Sequence, residues 1–140
     1  MPRPQASLDS SLRDVRLLAA ILLFSALLYI WIGEMVAPKS PKDVWTFLLV
    51  FGLLSFSDIS GAFSIRMRYL GTTEETLSSN PEDQVALSRW RSGQIISLVM
   101  CQTIALFGLI LRLLGGTSLQ TIPFYLISTS MMLVWWPRRP

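Results

Sequence analysis

The chain has no histidine and one cysteine, Cys101, in 140 residues. A protein without His has no His-dependent catalytic triad. A single Cys inside an apolar run gives neither an intramolecular disulfide nor a Cys/His zinc site. Charge is also scarce, at 15% of residues, and it falls in short clusters between long uncharged runs. The net charge of +3 does not imply a nucleic-acid partner, because the basic residues flank apolar runs instead of gathering on one segment. These shortages lead us to expect no enzyme, no cofactor, no metal and no nucleic-acid ligand.

What the chain does have is apolar length. Hydrophobic residues make up 51% and the mean hydropathy is +0.49. A membrane-spanning helix needs about 20 mostly apolar residues, and four segments reach that length: 17–36, with Glu34 near its far end; 44–65, containing Asp58; 92–114, uncharged as far as Leu111; and 117–136, interrupted by Pro123. The expected fold is all-α, a four-transmembrane-helix bundle forming a single membrane domain over 1–140.

Basic residues orient such a bundle. Arg3, Arg13 and Arg16, then Arg66, Arg68, Arg89 and Arg91, then Arg138 and Arg139 share one side, nine of the twelve, against Lys39, Lys42 and Arg112 on the other. That asymmetry puts both termini in the cytoplasm. Trp31 and Trp45 then fall at the outer interface, and Trp90, Trp135 and Trp136 at the inner one, the depth an indole prefers. With no barrel pattern, the expected location is a bacterial cytoplasmic membrane. The first apolar run exceeds the roughly 7–15 residues of a signal peptide and lacks a small-residue cleavage site, so it reads as a span. Residues 1–11 read as polar and flexible. In the loop 66–91, the stretch 71–79 reads as turn-rich, with Asn80 as an N-cap and Pro81 as the first residue of a helix running to about Leu114, ended by Gly115-Gly116.

Helices in lipid pack through close backbone approach. Gly93, Ser97, Cys101, Ala105 and Gly108 form a small-residue stripe on span three, and Ser57, Gly61 and Ser64 line span two. The expectation is that these stripes meet, making spans two and three a central antiparallel hairpin flanked by spans one and four.

Two polar residues lie inside this hairpin. Asp58, eight positions before Arg66, sits about 12 Å from the inner interface. An ionised Asp at that depth costs a few kcal/mol unless paired or hydrated. It is compatible with a proton or cation site, with a protonated structural carboxyl, or with a shifted span that leaves it near headgroups. Gln102, eleven residues after Arg91, is about 5 Å deeper than Asp58, close enough in depth for an Asp58–Gln102 hydrogen bond that would join the helices. Glu34 reads as an interfacial charge near Lys39 and Lys42, Arg112 as a side chain snorkelling outward, and the hydroxyls of span four as bonded to their own backbone. Glu74, Glu75, Glu82 and Asp83 read as a solvated acidic loop rather than a metal site.

The stretch LVMCQTIALFGLILRL, Leu98 to Leu113, resembles the ion-binding helix of the c-type proteolipid subunits of rotary ATPases, in which an ion-carrying carboxylate precedes a similar small-residue pattern. The resemblance implies a c-like hairpin. It also puts Gln102 at the carboxylate position, where an amide cannot carry a proton reversibly. Over the whole chain, YIWIGEMVAP, RWRSGQIISL and the WWPRRP tail resemble small, uncharacterised bacterial four-span membrane proteins, a likeness that implies no activity. The functional expectation is a non-catalytic structural or complex-forming subunit, with the lipid bilayer and other membrane subunits or its own copies as partners. The alternative is a proton or cation translocation component using Asp58.

Overall fold

The computed structural model describes residues 7–139. Every regular element among them is helical: α1 (Leu8–Val36), α2 (Trp45–Ile65), a π-helical turn (Arg66–Leu70), α3 (Gly71–Ser79), α4 (Gln84–Leu113) and α5 (Ser118–Val134). Three stretches, α1, Trp45–Ser79 and α4, are long and apolar enough to cross a membrane, and α5 is a shorter apolar helix of 17 residues. Their outward faces carry Leu17, Phe24, Leu53, Phe56 and Phe63, each more than half exposed. Apolar surface on that scale is costly against water and is compatible with a protein that spans a membrane.

α1 starts earlier than its apolar run. The Ser7 hydroxyl accepts from the Ser10 N–H, and the helix is already formed at Leu8. Leu8, Leu12, Val15 and Ala19 repeat at spacings of four and three, placing one stripe inward, where it is buried against Leu77, Ala86, Leu87 and Trp90. The flexible segment expected over 1–11 is therefore helical from residue 8, while residues 1–6 lie outside the described part. Trp90 is fully buried in this cluster and is not an interfacial anchor. Trp31 and Trp45 are about 60% exposed at the opposite end.

The loop after span two also differs from expectation. α2 runs through the π-helical turn directly into α3, making a rod of 35 residues, about 52 Å long. Gly71 takes an ordinary right-handed helical conformation, and Thr72, Thr73, Thr76, Ser78 and Ser79 bond back to carbonyls three or four residues earlier. That local bonding lets a polar, turn-like sequence stay helical. The sharp turn comes at 80–83. Asp83, not Asn80, caps α4: its Oδ1 accepts from Val85 N at 2.9 Å and Ala86 N at 3.1 Å, so α4 begins at Gln84. At the far end Gly115 takes φ +107°, the left-handed conformation that glycine adopts without penalty, and the helix stops where expected.

α4 is the axis of the molecule. It packs against α1, α5, α2, the π-helical turn and α3. α1 lies parallel to it, with Ala26 beside Ala105 and Gly33 beside Arg112. α5 and α2 lie antiparallel, with Ser128 against Cys101 and Gly61 against Met100. α2 touches α4 and the π-helical turn but makes no substantial contact with α1 or α5. The expected arrangement, with spans two and three central and spans one and four flanking, is thus corrected. α4 alone is central, because its small-residue stripe lets three helices approach it at once, and α2 is at the edge.

Candidate functional site

The small-residue stripe of α4 is buried along its whole length: Gly93, Ser97, Cys101, Ala105 and Gly108. A Cβ on Gly93 would come within 3.1 Å of Leu70, and one on Gly108 within 3.1 Å of both Phe124 and the Tyr125 ring. The stripe therefore seats the π-helical turn, α1 and α5 as well as α2. On α2 the inward face is formed by Ser55 and Ala62, with Phe51 stacked on Phe107 at a centroid distance of 5.2 Å. Gly61 is half-buried over the Met100 methyl, whereas Ser57 and Ser64 are exposed.

Gln102 is buried, and it reaches α1 rather than α2. Its Nε2 donates to Ser25 Oγ at 2.8 Å, and Ser25 Oγ donates in turn to Leu22 O at 2.8 Å. A second polar tie joins α4 to α5, where Ser128 Oγ donates to Cys101 O at 2.7 Å. The α5 hydroxyls thus include one that crosses between helices, while Thr121 bonds within its own helix. Asp58 is half-buried on α2. Its Oδ2, with Gln102 Oε1 and Ser55 Oγ, is buried without a hydrogen-bond partner. Asp58, Gln102, Ser25, Ser55 and Ser128 thus bring polar groups into the interior from α1, α2, α4 and α5, while the buried Ser97, like Thr121, bonds within its own helix. A buried carboxyl oxygen without a partner can take a proton, whereas the amide oxygen can only accept a hydrogen bond, and bare buried acceptors are costly.

Ser25 was missing from the expected set, although the sequence carries a signal for it. It is the sole serine of 17–36 and lies nine residues after Arg16, while Gln102 lies eleven after Arg91. Depth alone puts the two levels about 3 Å apart.

Each end of the bundle is closed by an arginine. At one end Arg112 grips Glu34 through two bonds, Nε to Oε1 at 3.0 Å and Nη2 to Oε2 at 2.8 Å. It also donates from Nη1 to Gly116 O at 2.7 Å, while Ser118 Oγ donates to Glu34 Oε1 at 3.0 Å. Glu34 thus belongs to an α1–α4–α5 clamp rather than to Lys39 and Lys42. At the other end Arg66 donates to Gln94 Oε1 at 3.1 Å and lies over the Trp135 ring, 5.0 Å from its centroid. The loop acids do not converge, and among the described residues no three His, Cys, Asp or Glu side chains are grouped to hold a metal ion. No protein-family model, curated protein or solved structure matches this chain.

Proposed function

We propose that this chain is a multi-pass membrane protein of a bacterial cytoplasmic membrane. It crosses four times with both termini in the cytoplasm and acts as a non-catalytic subunit that associates with other membrane helices or with its own copies. The outward face of α2 carries this reading. In the most apolar stretch of the Trp45–Ser79 rod only 11% of residues are buried, against 44% for α4. Ser57, Ser60 and Ser64 are exposed together with Leu53, on the side opposite Ser55 and Ala62. Ser64 Oγ donates to Ser60 O at 2.8 Å. Among the described residues, the Ser57 and Ser60 hydroxyls meet no partner. Small hydroxylated residues on a lipid-facing surface permit close helix approach and interhelical hydrogen bonds. The nine-to-three distribution of basic residues supports the orientation.

Cysteine cross-linking in native membranes tests it. With Ser60→Cys in the full-length chain, a homodimer or a discrete heteroadduct is expected, and Ser57→Leu/Ser60→Leu/Ser64→Leu should remove the assembly on mild-detergent sizing. A monomer with no adduct contradicts the proposal.

A second reading is favoured by one observation, the Asp58 Oδ2 of α2, buried without a hydrogen-bond partner. On this reading Asp58 carries a proton or cation, as in a c-like hairpin of α2 and α4 whose usual carboxylate position is an amide. Unchanged proton and sodium flux in vesicles bearing Asp58→Asn removes its support.

A further inference from the structure

We infer that the end of the bundle beside the π-helical turn carries a binding site for a phosphate monoester or diester anion, of the kind an anionic phospholipid headgroup presents. The inference rests on the membrane reading above. A cavity of about 350 Å³ is lined there by Arg66, Arg138, Arg139, Glu74, Gln94 and Trp136. Three arginines and one acid, Glu74, line the cavity, and with Asp9 counted against Arg139 the group keeps an excess of positive charge. Planar guanidinium forks pair with phosphate oxygens in a bidentate fashion.

The arginines are not loose surface charges. Arg66 is half-buried and fixed on two sides, by the buried Gln94 carbonyl oxygen at 3.1 Å and by the Trp135 ring. The segment after α5 is tied back onto α1: Arg16 Nε donates to Pro137 O at 3.0 Å, Pro137 itself is fully buried, and Arg139 reaches Asp9 at 3.8 Å. This anchoring holds Arg138 and Arg139 at the cavity, and Arg138 has no ion-pair partner among the described residues. Val134 and Trp136 supply the small apolar part of the lining. The cavity lies where the apolar helix surfaces end, the level of headgroups and of basic lipid-binding pockets.

The test uses the full-length chain in neutral-lipid nanodiscs, titrated with phosphatidylglycerol or phosphatidylcholine and read by native mass spectrometry. Preferential phosphatidylglycerol retention is expected, weakened about tenfold or more by Arg138→Gln/Arg139→Gln. Lys39→Gln/Lys42→Gln, which removes the same charge at the opposite end, should leave it unchanged. Both tail arginines are exposed, so the variant should melt like the parent. Arg66→Lys keeps the charge but loses the fork and should weaken retention as well. Inorganic phosphate separates the sources. If millimolar phosphate displaces the lipid, the site takes a free anion. If it does not, the site takes the headgroup. Equal retention of the two lipids, or equal loss in the two charge-removal variants, overturns the site. Carbonate extraction run in parallel keeps the outcomes distinct, since a chain that stays in the membrane without lipid preference rejects this site and leaves the membrane reading standing.

Discussion

α2 and α4 are both long, apolar and rich in small residues, yet 44% of the most apolar stretch of α4 is buried and only 11% of that of the rod begun by α2. Composition alone does not separate them. The difference lies in how the small residues are arranged around each helix. On α4, Gly93, Ser97, Cys101, Ala105 and Gly108 advance by four, four, four and three residues and stay on one inward strip that several neighbours share. On α2 the hydroxylated residues divide between two sides, Ser55 inward and Ser57, Ser60 and Ser64 outward. Apolar length marks a helix as able to enter a membrane, whereas the angular placement of its smallest residues decides how many helices gather around it.

The largest expected effect falls at the buried end of α4. Trp90→Ala should cost about 3–5 kcal/mol, the range for removing a large aromatic from a core, whereas Leu53→Ala on the edge of α2, where Leu53 is 75% exposed, should stay within about 0.5 kcal/mol. Reversible unfolding in mixed micelles measures both, and equal losses would break the contrast.

Next come the paired glycines. Gly108→Ala should cost about 1–3 kcal/mol, because the new methyl meets the Phe124 Cβ and the Tyr125 ring, neither free to retreat. Gly61→Ala should cost less than about 1 kcal/mol, because it meets the end of the flexible Met100 side chain. A larger loss at Gly61 would show that α2 is held more tightly than its exposure indicates.

The polar ties should be smaller still. Ser128→Ala and Ser25→Ala each remove one hydrogen bond to α4 and should cost about 0.6 kcal/mol, with an upper bound near 1.7. Glu34→Gln should cost about 1 kcal/mol, since the clamp on Arg112 is bidentate but the Glu34 side chain is 49% exposed. The smallest effect is expected for Ser60→Leu, within about 0.5 kcal/mol in the monomer, so that any loss of assembly would report the outward face alone.

Much of the fold was legible in the chain. The apolar runs predicted α1, α2 and α4, with the shorter α5, and Gly115 predicted the turn between α4 and α5. The misreadings have physical causes. Thr and Ser in 71–79 look like turn formers, but their hydroxyls can bond to the preceding turn and continue a helix. Asn80 and Asp83 both suit a cap, and only the course of the chain shows which side chain meets the free N–H groups. Trp90 looks like an interfacial anchor because its neighbours are arginines, while the apolar stripe Leu8–Leu12–Val15 that buries it lies far away in sequence. In the candidate site the sequence singled out Asp58 and Gln102, but partner choice depends on rotation about the helix axis, and that turned Gln102 toward Ser25.

The sequence by itself determined the apolar runs of α1, α2, α4 and α5, their lengths compatible with a membrane, the stop at Gly115 and the position of each polar residue along its helix, because these depend on composition and on a rise of about 1.5 Å per residue. Only the tertiary structure decided that α4 is the axis and α2 the edge, that Glu34 belongs to Arg112, and that Arg66, Arg138 and Arg139 meet around one cavity. Those are questions of which faces turn toward one another, and they are settled by steric fit between helices that are distant in the chain.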